Sequence, residues 1–272
     1  MPFLLYSLSY AQEFNKGQLL SKLKNTQINE SSGMDISTKS DDLFFTHNDS
    51  GDTARFFAFN SKGDDLRTFT LKGAFAVDWE DMSSYKLDNQ SYLMLCDVGD
   101  NLRVRPFYTL YVVKEPEPKS KELPIEFLIN YKYEDGKQNC ESVTVDANSK
   151  TVYIISKTKT GTCNLYSIPL KATAMITAKK IISLKLPQTT GMDISDDGLK
   201  MIISGYNKAY LYIRKENESW ADACKRDPKV IEVPKRPQGE SVCFSKDAKA
   251  FYLTSEFSNK LKACTLFKVE QK

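Results

Sequence analysis

The chain has 272 residues, of which 41% are hydrophobic, and it carries a formal net charge of +3. A chain of this length and composition can bury a sizeable core and is expected to fold as a globular protein. The near balance of 38 basic and 35 acidic residues gives no reason to expect a nucleic-acid polymer as partner, and no segment approaches the roughly 18 consecutive apolar residues of a membrane span.

The N-terminal segment, residues 1–11, combines a short apolar run with Ser9-Tyr10-Ala11, a small-x-small pattern that signal peptidase reads. It lacks a basic stretch before the apolar run. The segment is therefore either the remnant of a signal peptide or the first strand of the mature fold. The first interpretation predicts a secreted or periplasmic protein with a single domain over residues 12–272. The sequence does not indicate the oligomeric state.

Cysteine and histidine usage limits the metal chemistry. The six cysteines show no CxxC spacing, so neither a zinc site nor a thioredoxin-like motif is expected. They are compatible with disulfides or with small buried apolar residues, and their pairing cannot be read from the sequence. Because the chain has a single histidine, His47, any metal would be bound through oxygen.

Five segments of the chain begin alike. In chain order these openings are SSGMDIS at Ser31, WEDMSS at Trp79, CESVTVD at Cys140, TTGMDIS at Thr189 and GESVCFS at Gly239. Each opening is followed by two β-rich runs, and in the first four segments by a third: LRTFTL, IEFLINYKY, KKIISLKL and KVIEVP. We expect Met175 to Lys180 to form a helical turn and residues 215–228 to form a surface loop.

Four-stranded units repeated every 50 residues or so are typical of a β-propeller. The sequence predicts an all-β protein, a five-bladed β-propeller with four antiparallel strands per blade. The fifth unit lacks its fourth strand, and an unpaired edge invites aggregation. The N-terminal segment Glu13 to Ile28 is predicted to supply that strand and close the last blade. A six-bladed propeller, obtained by splitting the long second unit, is the alternative.

The first strands of propeller blades line a central channel, so equivalent positions in the five openings should form a ring. The alignment rests on the apolar residues Met34, Met82, Val143, Met192 and Val242. It places one polar residue of each opening at a common level: Ser32, Glu80, Glu141, Thr190 and Glu240. Carboxylates about 5 Å apart repel by roughly 3 kcal/mol per pair at an effective dielectric constant of about 20, so a cation or protons are needed. An all-oxygen ring suits Ca²⁺. The alternative is that the glutamates pair with lysines or water.

The order Ser, Glu, Glu, Thr, Glu resembles the Ser/Glu/Glu/Ser/Glu calcium ring of the calcium-activated nucleotidases, secreted apyrases that are five-bladed propellers. Thr190 departs from that pattern but keeps the hydroxyl. A resemblance over nearly the whole chain links it to a group of secreted bacterial propellers with the motifs HNDSGD, DWED, DxGDN and QGE, found here at 47–52, 78–81, 97–101 and 238–240. The second resemblance implies the fold and no particular activity.

The HNDSGD segment reads first as a tight turn. The second unit contains a similar segment, DVGDN, in which Asp97 and Asp100 correspond to Asp49 and Asp52. These acids are therefore predicted to meet at one end of the channel. The apyrase resemblance implies a calcium ion beneath a nucleotide cleft, where acids polarise the attacking water; Asp49, Asp97 and Asp100 are the catalytic candidates here. The ligand-binding candidates are Asp52, Asp78, Arg103, Arg105, Lys157 and Glu256.

Three functions remain open at this point. The first is a calcium-dependent phosphohydrolase of nucleotides or other small phosphorylated molecules. The second is a non-catalytic propeller with a structural Ca²⁺ whose rim binds a polar ligand, a protein or a glycan. The third is a glycosidase that uses Asp49 and Asp97 as its carboxylate pair, which would need a separation of about 5 to 9.5 Å. Fold analogy cannot choose among them.

Overall fold

A computed structural model describes residues 13–117, 119–159 and 161–272. The predicted signal segment, residues 1–11, lies outside the described residues. The prediction of an all-β protein is confirmed, because the described residues form 21 strands and one short helix. The strands are β1 Gln18–Lys22, β2 Ser31–Ile36, β3 Phe44–Asn48, β4 Arg55–Phe59, β5 Asp65–Lys72, β6 Trp79–Leu87, β7 Gln90–Asp97, β8 Tyr108–Lys114, β9 Glu122–Pro124, β10 Phe127–Tyr133, β11 Cys140–Asp146, β12 Thr151–Ser156, β13 Cys163–Pro169, β14 Thr173–Leu184, β15 Thr189–Ile194, β16 Lys200–Gly205, β17 Lys208–Ile213, β18 Lys229–Glu232, β19 Gly239–Phe244, β20 Ala250–Ser258 and β21 Ala263–Glu270, and the helix is α1 Trp220–Ala223.

The strands pair into antiparallel four-stranded units that follow the sequence repeat. Their strand orders are β2-β3-β4-β5, β6-β7-β8-β10, β11-β12-β13-β14, β15-β16-β17-β18 and β19-β20-β21-β1. Strand β9 extends the first unit by pairing parallel with β5. Parallel pairing of β10 with β14 joins the second and third units into one eight-stranded sheet. In the fifth unit, β1 pairs antiparallel with β21, the last strand of the chain.

The first strands of the units contact one another in a closed cycle. Strand β2 packs on β6, β6 on β11, β11 on β15, β15 on β19, and β19 returns to β2. Every residue of β2, β11, β15 and β19 is buried. These central strands therefore bring equivalent positions of the five openings close together.

The hydrophobic core is divided into five clusters, each between two consecutive units. The five apolar residues used to align the openings each fall in a different cluster: Met34, Met82, Val143, Met192 and Val242. Burying a side chain of this size stabilises the fold by about 1.5 to 3 kcal/mol. The repeated apolar position thus joins each unit to its neighbour.

One local prediction was wrong and another was incomplete. Residues 175–180 lie within β14 rather than in a helical turn, because this segment pairs with β13 on one side and β10 on the other. The connection 215–228 is not a plain surface loop, since it contains α1, whose Trp220 is 1% exposed. All six cysteines are buried and free. Among the described residues, no helix has the length and apolar character needed to cross a membrane.

Candidate metal and ligand site

A β-bulge interrupts the first strand of every unit at the same place. Where each first strand pairs with the second, the register shifts between Ser31 and Met34, Trp79 and Asp81, Cys140 and Ser142, Thr189 and Gly191, and Gly239 and Val242. The predicted ring residues lie in these five bulges: Ser32, Glu80, Glu141, Thr190 and Glu240. A bulge removes a residue from the regular alternation of the strand and redirects its side chain. The repeated bulge is therefore the local feature that sets the ring residues apart from the core.

All five ring residues are at most 6% exposed. The Ser32 hydroxyl donates to the carbonyl oxygen of Glu80 at 2.8 Å and lies 3.5 Å from its carboxylate Oε2. The Thr190 hydroxyl donates to the carbonyl oxygen of Gly239 at 2.8 Å. Both hydroxyls therefore tie neighbouring central strands together and keep their oxygen lone pairs.

Three carboxylates converge beside the ring, and we call them the acidic cluster: Asp49, Asp78 and Glu80. One oxygen from each lies within 4.8 Å of the other two. Asp49 follows β3, while Asp78 immediately precedes β6 and Glu80 is its bulged residue. Gly99 borders the cluster, and a Cβ at this position would overlap the Asp78 and Glu80 carboxylate oxygens. The absence of a side chain at Gly99 leaves the space in which the carboxylates meet.

Burial and the repulsion of neighbouring charges raise the pKa values of three acids around this point, Asp78, Glu80 and Glu240. Burial, reinforced by the charge of Asp49, raises the pKa of Asp78 to about 6. Burial also raises the pKa of Glu80 well above its usual range, with further contributions from Glu141 and Asp49. For Glu240, burial and the charge of Glu141 raise the pKa to about 8. The side chains of Asp78 and Glu240 have no hydrogen-bond partner in the part of the chain that the structure describes.

One ammonium group offsets part of this charge. The Lys157 Nζ contacts the Glu141 carboxylate and donates to the Tyr206 hydroxyl at 3.2 Å. Burial lowers the pKa of Lys157, but the attraction of Glu141 outweighs it and the net shift is upward. Burial nevertheless raises the pKa of Glu141, although Lys157 opposes that shift. Glu141 is therefore an ion-pair partner of Lys157 rather than a carboxylate of the acidic cluster.

A cavity of about 620 Å³ adjoins the ring. Its wall includes Lys157 and Asn139, whose side-chain nitrogens approach the Glu141 carboxylate. The complete lining is Asn101, Arg103, Gln138, Asn139, Lys157, Thr158, Lys159, Gln188 and Tyr206. It contains three cations and four amide side chains and no acid, so it suits an anionic or strongly polar ligand.

The structure places Asp97 and Asp100 in a different role from Asp49. Asp97, 2% exposed, accepts hydrogen bonds from the Arg105 guanidinium at 2.7 Å and from the backbone N–H of Asp78 at 3.0 Å. Asp100, 4% exposed, accepts from the backbone N–H groups of Val104 and Arg105 and from the Tyr108 hydroxyl. Both carboxylates hold the loop after β7 in place.

The remaining predicted ligand residues are dispersed. Asp52 pairs with Arg55 at 2.8 Å and is not one of the three acids of the cluster. Arg103 is exposed and lines the cavity. Glu256 accepts a hydrogen bond from Gln238, and burial together with the charges of Glu30 and Asp49 raises its pKa.

His47 does not contact Asp49. The His47 imidazole is fully buried. Its Nδ1 lies 2.9 Å from the carbonyl oxygen of Asn48, and its Nε2 lies 3.2 Å from the carbonyl oxygen of Asp81. Burial lowers its pKa, and a neutral imidazole donates to only one of these carbonyls. Its edge packs on the Trp79 ring, 5.5 Å between centroids. His47 is a core residue beneath the site.

Sequence reasoning missed a second set of buried acids, which we call the clip carboxylates: Asp35, Asp81 and Asp193. One oxygen of each accepts the N–H of the following residue in its own strand. The other accepts an N–H from the next central strand, donated by Ser84, Val143 and Phe244 respectively. Asp81 also accepts from Met192 at 3.3 Å. The recurrence of aspartate in the openings was the available signal, but its partners lie in distant parts of the chain.

A scan against protein-family models and a search of curated proteins both found no match for this chain.

Proposed function

We propose that the chain is a secreted five-bladed β-propeller whose acidic cluster binds Ca²⁺ and whose adjoining cavity binds and hydrolyses a small phosphorylated molecule. The propeller assignment is supported by five antiparallel four-stranded units whose first strands contact each other in a closed cycle. A radial arrangement of such units leaves only short edges, and β1 covers the outer edge of the fifth unit.

The donor set of the acidic cluster fits Ca²⁺. All ligand atoms are carboxylate oxygens, and Ca²⁺ binds oxygen at about 2.3 to 2.6 Å. Two oxygens on one ion can therefore be up to about 5 Å apart, and the three carboxylates lie within 4.8 Å of each other. Asp49, Asp78 and Glu80 would hold the ion, with the hydroxyls and carbonyls of the ring nearby. A bound cation would polarise a phosphoryl oxygen and acidify water.

The single observation that carries the proposal is the contact between ring and cavity. The Lys157 ammonium is in the cavity wall and touches Glu141 of the ring, so an anion in the cavity lies beside the ring, to which Glu80 of the acidic cluster also belongs. Lys157 and Arg103 would neutralise phosphate oxygens. Asp49, the half-buried acid that follows β3, offers one oxygen to the ion. Its second oxygen would accept the proton of the water that attacks phosphorus, while the leaving oxygen departs from the opposite side.

The test is phosphate release from nucleoside triphosphates, phytate and p-nitrophenyl phosphate, measured with excess Ca²⁺ and with EGTA. We expect Ca²⁺-dependent release that falls at least about 100-fold in Asp49→Asn. Asp52→Asn is the matched control, since this neighbouring acid pairs with Arg55, and it should keep the activity. Equal activity in the two variants would refute the role of Asp49.

A non-catalytic binding propeller is the second candidate. It is favoured by the hydrogen bonds that Asp97 and Asp100 accept from neighbouring backbone groups and from Arg105. Because these two acids are bonded there, Asp49 lacks the partner acids that the sequence predicted. Its signature would be a Ca²⁺-dependent rise in melting temperature with no turnover of any phosphorylated substrate. A glycosidase would need Asp97 as one of its two catalytic carboxylates. Because Asp97 is bonded to Arg105 and to the backbone of Asp78, we do not propose that activity.

A further inference from the structure

Large apolar side chains are exposed on two loops beside the acidic cluster. The loops are residues 73–78, before β6, and residues 98–107, after β7. We call the five side chains the apolar rim: Phe75, 75% exposed, Val77, 58%, Leu102, 82%, Val104, 62%, and Phe107, 40%. Scattered exposed apolar residues need no explanation, but a contiguous group marks an interaction surface.

The two loops are joined to each other. The backbone N–H groups of Val98 and Gly99 donate to the carbonyl oxygen of Asp78 at 3.1 and 3.0 Å. The Trp79 indole of β6 donates to the carbonyl oxygen of Phe75 at 3.1 Å, which fixes the first loop. The apolar rim is therefore carried by two loops that are joined at their bases.

The backbone of the second loop is also held firmly. The Asp100 carboxylate accepts from the N–H groups of Val104 and Arg105 at 2.8 and 2.9 Å. The Arg105 guanidinium donates to the carbonyl oxygen of Gly99 at 2.9 Å and to Asp97 at 2.7 Å. These bonds order the loop while Leu102 and Val104 point outward, so the apolar side chains are presented by a fixed backbone.

The exposed charges of the rim are basic, since Lys72 and Arg103 are both exposed. The two loops also contain two acids, but Asp100 is 4% exposed and bonded within its own loop, and Asp78 belongs to the acidic cluster. Arg103 is exposed between Leu102 and Val104 in the sequence. The Lys137 ammonium reaches the same loop and donates to the carbonyl oxygen of Val104 at 2.7 Å. Apolar tips flanked by cations match the boundary of an anionic bilayer, where acyl chains lie beneath a layer of phosphates.

We propose that the apolar rim docks the protein on the surface of an anionic lipid bilayer. Phe75 and Leu102 enter the acyl boundary, and Arg103 and Lys72 contact lipid phosphates. This is attachment to one face of a membrane and does not require a spanning segment. Because Arg103 also lines the cavity, docking brings the cavity next to the lipid surface. The proposal does not depend on hydrolysis or on Ca²⁺.

Vesicle flotation in EGTA tests this proposal with two kinds of vesicle, phosphatidylcholine alone and phosphatidylcholine mixed with phosphatidylglycerol. The chelator prevents Ca²⁺ from bridging the acidic cluster to lipid. We expect the wild-type protein to float with the anionic vesicles and to be released at high salt, which screens the cations. The double variant Phe75→Ser/Leu102→Ser should bind at least about tenfold more weakly.

Val230→Ser is the matched control, since Val230 is 49% exposed on β18, in the fourth unit, and it should bind like the wild type. All variants should keep the wild-type melting temperature because the changed side chains are exposed. Flotation of the double variant equal to wild type would overturn the proposal, and so would failure of the wild type to bind anionic vesicles. A dimer seen by sedimentation equilibrium that the double variant loses, without vesicle binding, would assign the rim to self-association instead.

Discussion

The clip carboxylates and the acidic cluster lie on or next to the same central strands, yet their oxygens face different groups. Each clip carboxylate accepts backbone N–H groups from its own strand and from a neighbouring one. The cluster carboxylates face each other, and within the described residues the Asp78 side chain has no donor. Burial raises the pKa values of all three clip carboxylates and of Asp78 and Glu80. Burial alone therefore does not separate a structural acid from a candidate ligand; the surrounding donors do.

Asp81, a clip carboxylate, and Glu80, a member of the acidic cluster, are adjacent on β6 and give the strongest test of the difference between the two sets. Asp81→Asn should lower the free energy of unfolding by roughly 3 kcal/mol, because one amide oxygen cannot serve three N–H groups and the new NH₂ faces donors. Glu80→Gln should change it by less than about 1 kcal/mol in chelator, since it removes a repelling charge. Urea unfolding in EGTA measures both. Similar losses at the two positions would contradict the distinction.

The pH dependence of Asp193 gives an effect of comparable size. Burial raises its pKa in the folded protein to about 7, whereas the unfolded chain loses this proton near pH 4. Between these values the folded state binds the extra proton, so raising the pH lowers the free energy of unfolding, by roughly 4 kcal/mol over the interval. Urea unfolding of wild type and Asp193→Asn from pH 4 to 8 measures the difference. Parallel pH profiles would show that Asp193 titrates normally.

Gly99→Ala tests the space between the carboxylates. Its Cβ would overlap the Asp78 and Glu80 oxygens, so we expect a loss of about 1 kcal/mol in stability and at least about tenfold weaker Ca²⁺ binding. Gly205→Ala is the control, because the nearest atom to its Cβ would be 3.4 Å away. Calorimetric titration and thermal unfolding of both variants provide the measurement. Unchanged Ca²⁺ affinity in Gly99→Ala would place the ion elsewhere.

Asp52→Asn should have the smallest effect. Its ion pair with Arg55 is partly exposed, with side chains 15% and 27% exposed, and such pairs contribute less than about 1 kcal/mol. Thermal unfolding should shift only slightly, and Ca²⁺ affinity should be unchanged. A large loss of affinity would extend the acidic cluster to the whole HNDSGD turn.

The repeated openings predicted the all-β class and the positions of the central strands, because each opening combines an apolar residue with a polar residue two positions earlier. The helical turn predicted at Met175 to Lys180 failed because pairing with strands on both sides decided the conformation. Local composition does not contain that information.

The candidate site was predictable in part. Ser32, Glu80 and the other ring residues do occupy one position in five equivalent strands, as alignment predicted. Which acids meet was not predictable, because Asp97 is neutralised by Arg105 and Asp81 reaches Val143 and Met192, 62 and 111 residues away. Such pairings depend on tertiary distances that spacing in the sequence does not reveal.

Calorimetric titration of Ca²⁺ into chelator-treated protein tests the central claim most directly, with wild type, Asp49→Asn and Asp52→Asn measured side by side. We expect a Ca²⁺ site in the wild type and in Asp52→Asn, and affinity at least about 100-fold weaker in Asp49→Asn. At 100 times the dissociation constant, Ca²⁺ should stabilise the folded wild type by about 2.7 kcal/mol. Absence of binding in the wild type, or binding that survives Asp49→Asn unchanged, would contradict the assignment of the acidic cluster as a calcium site.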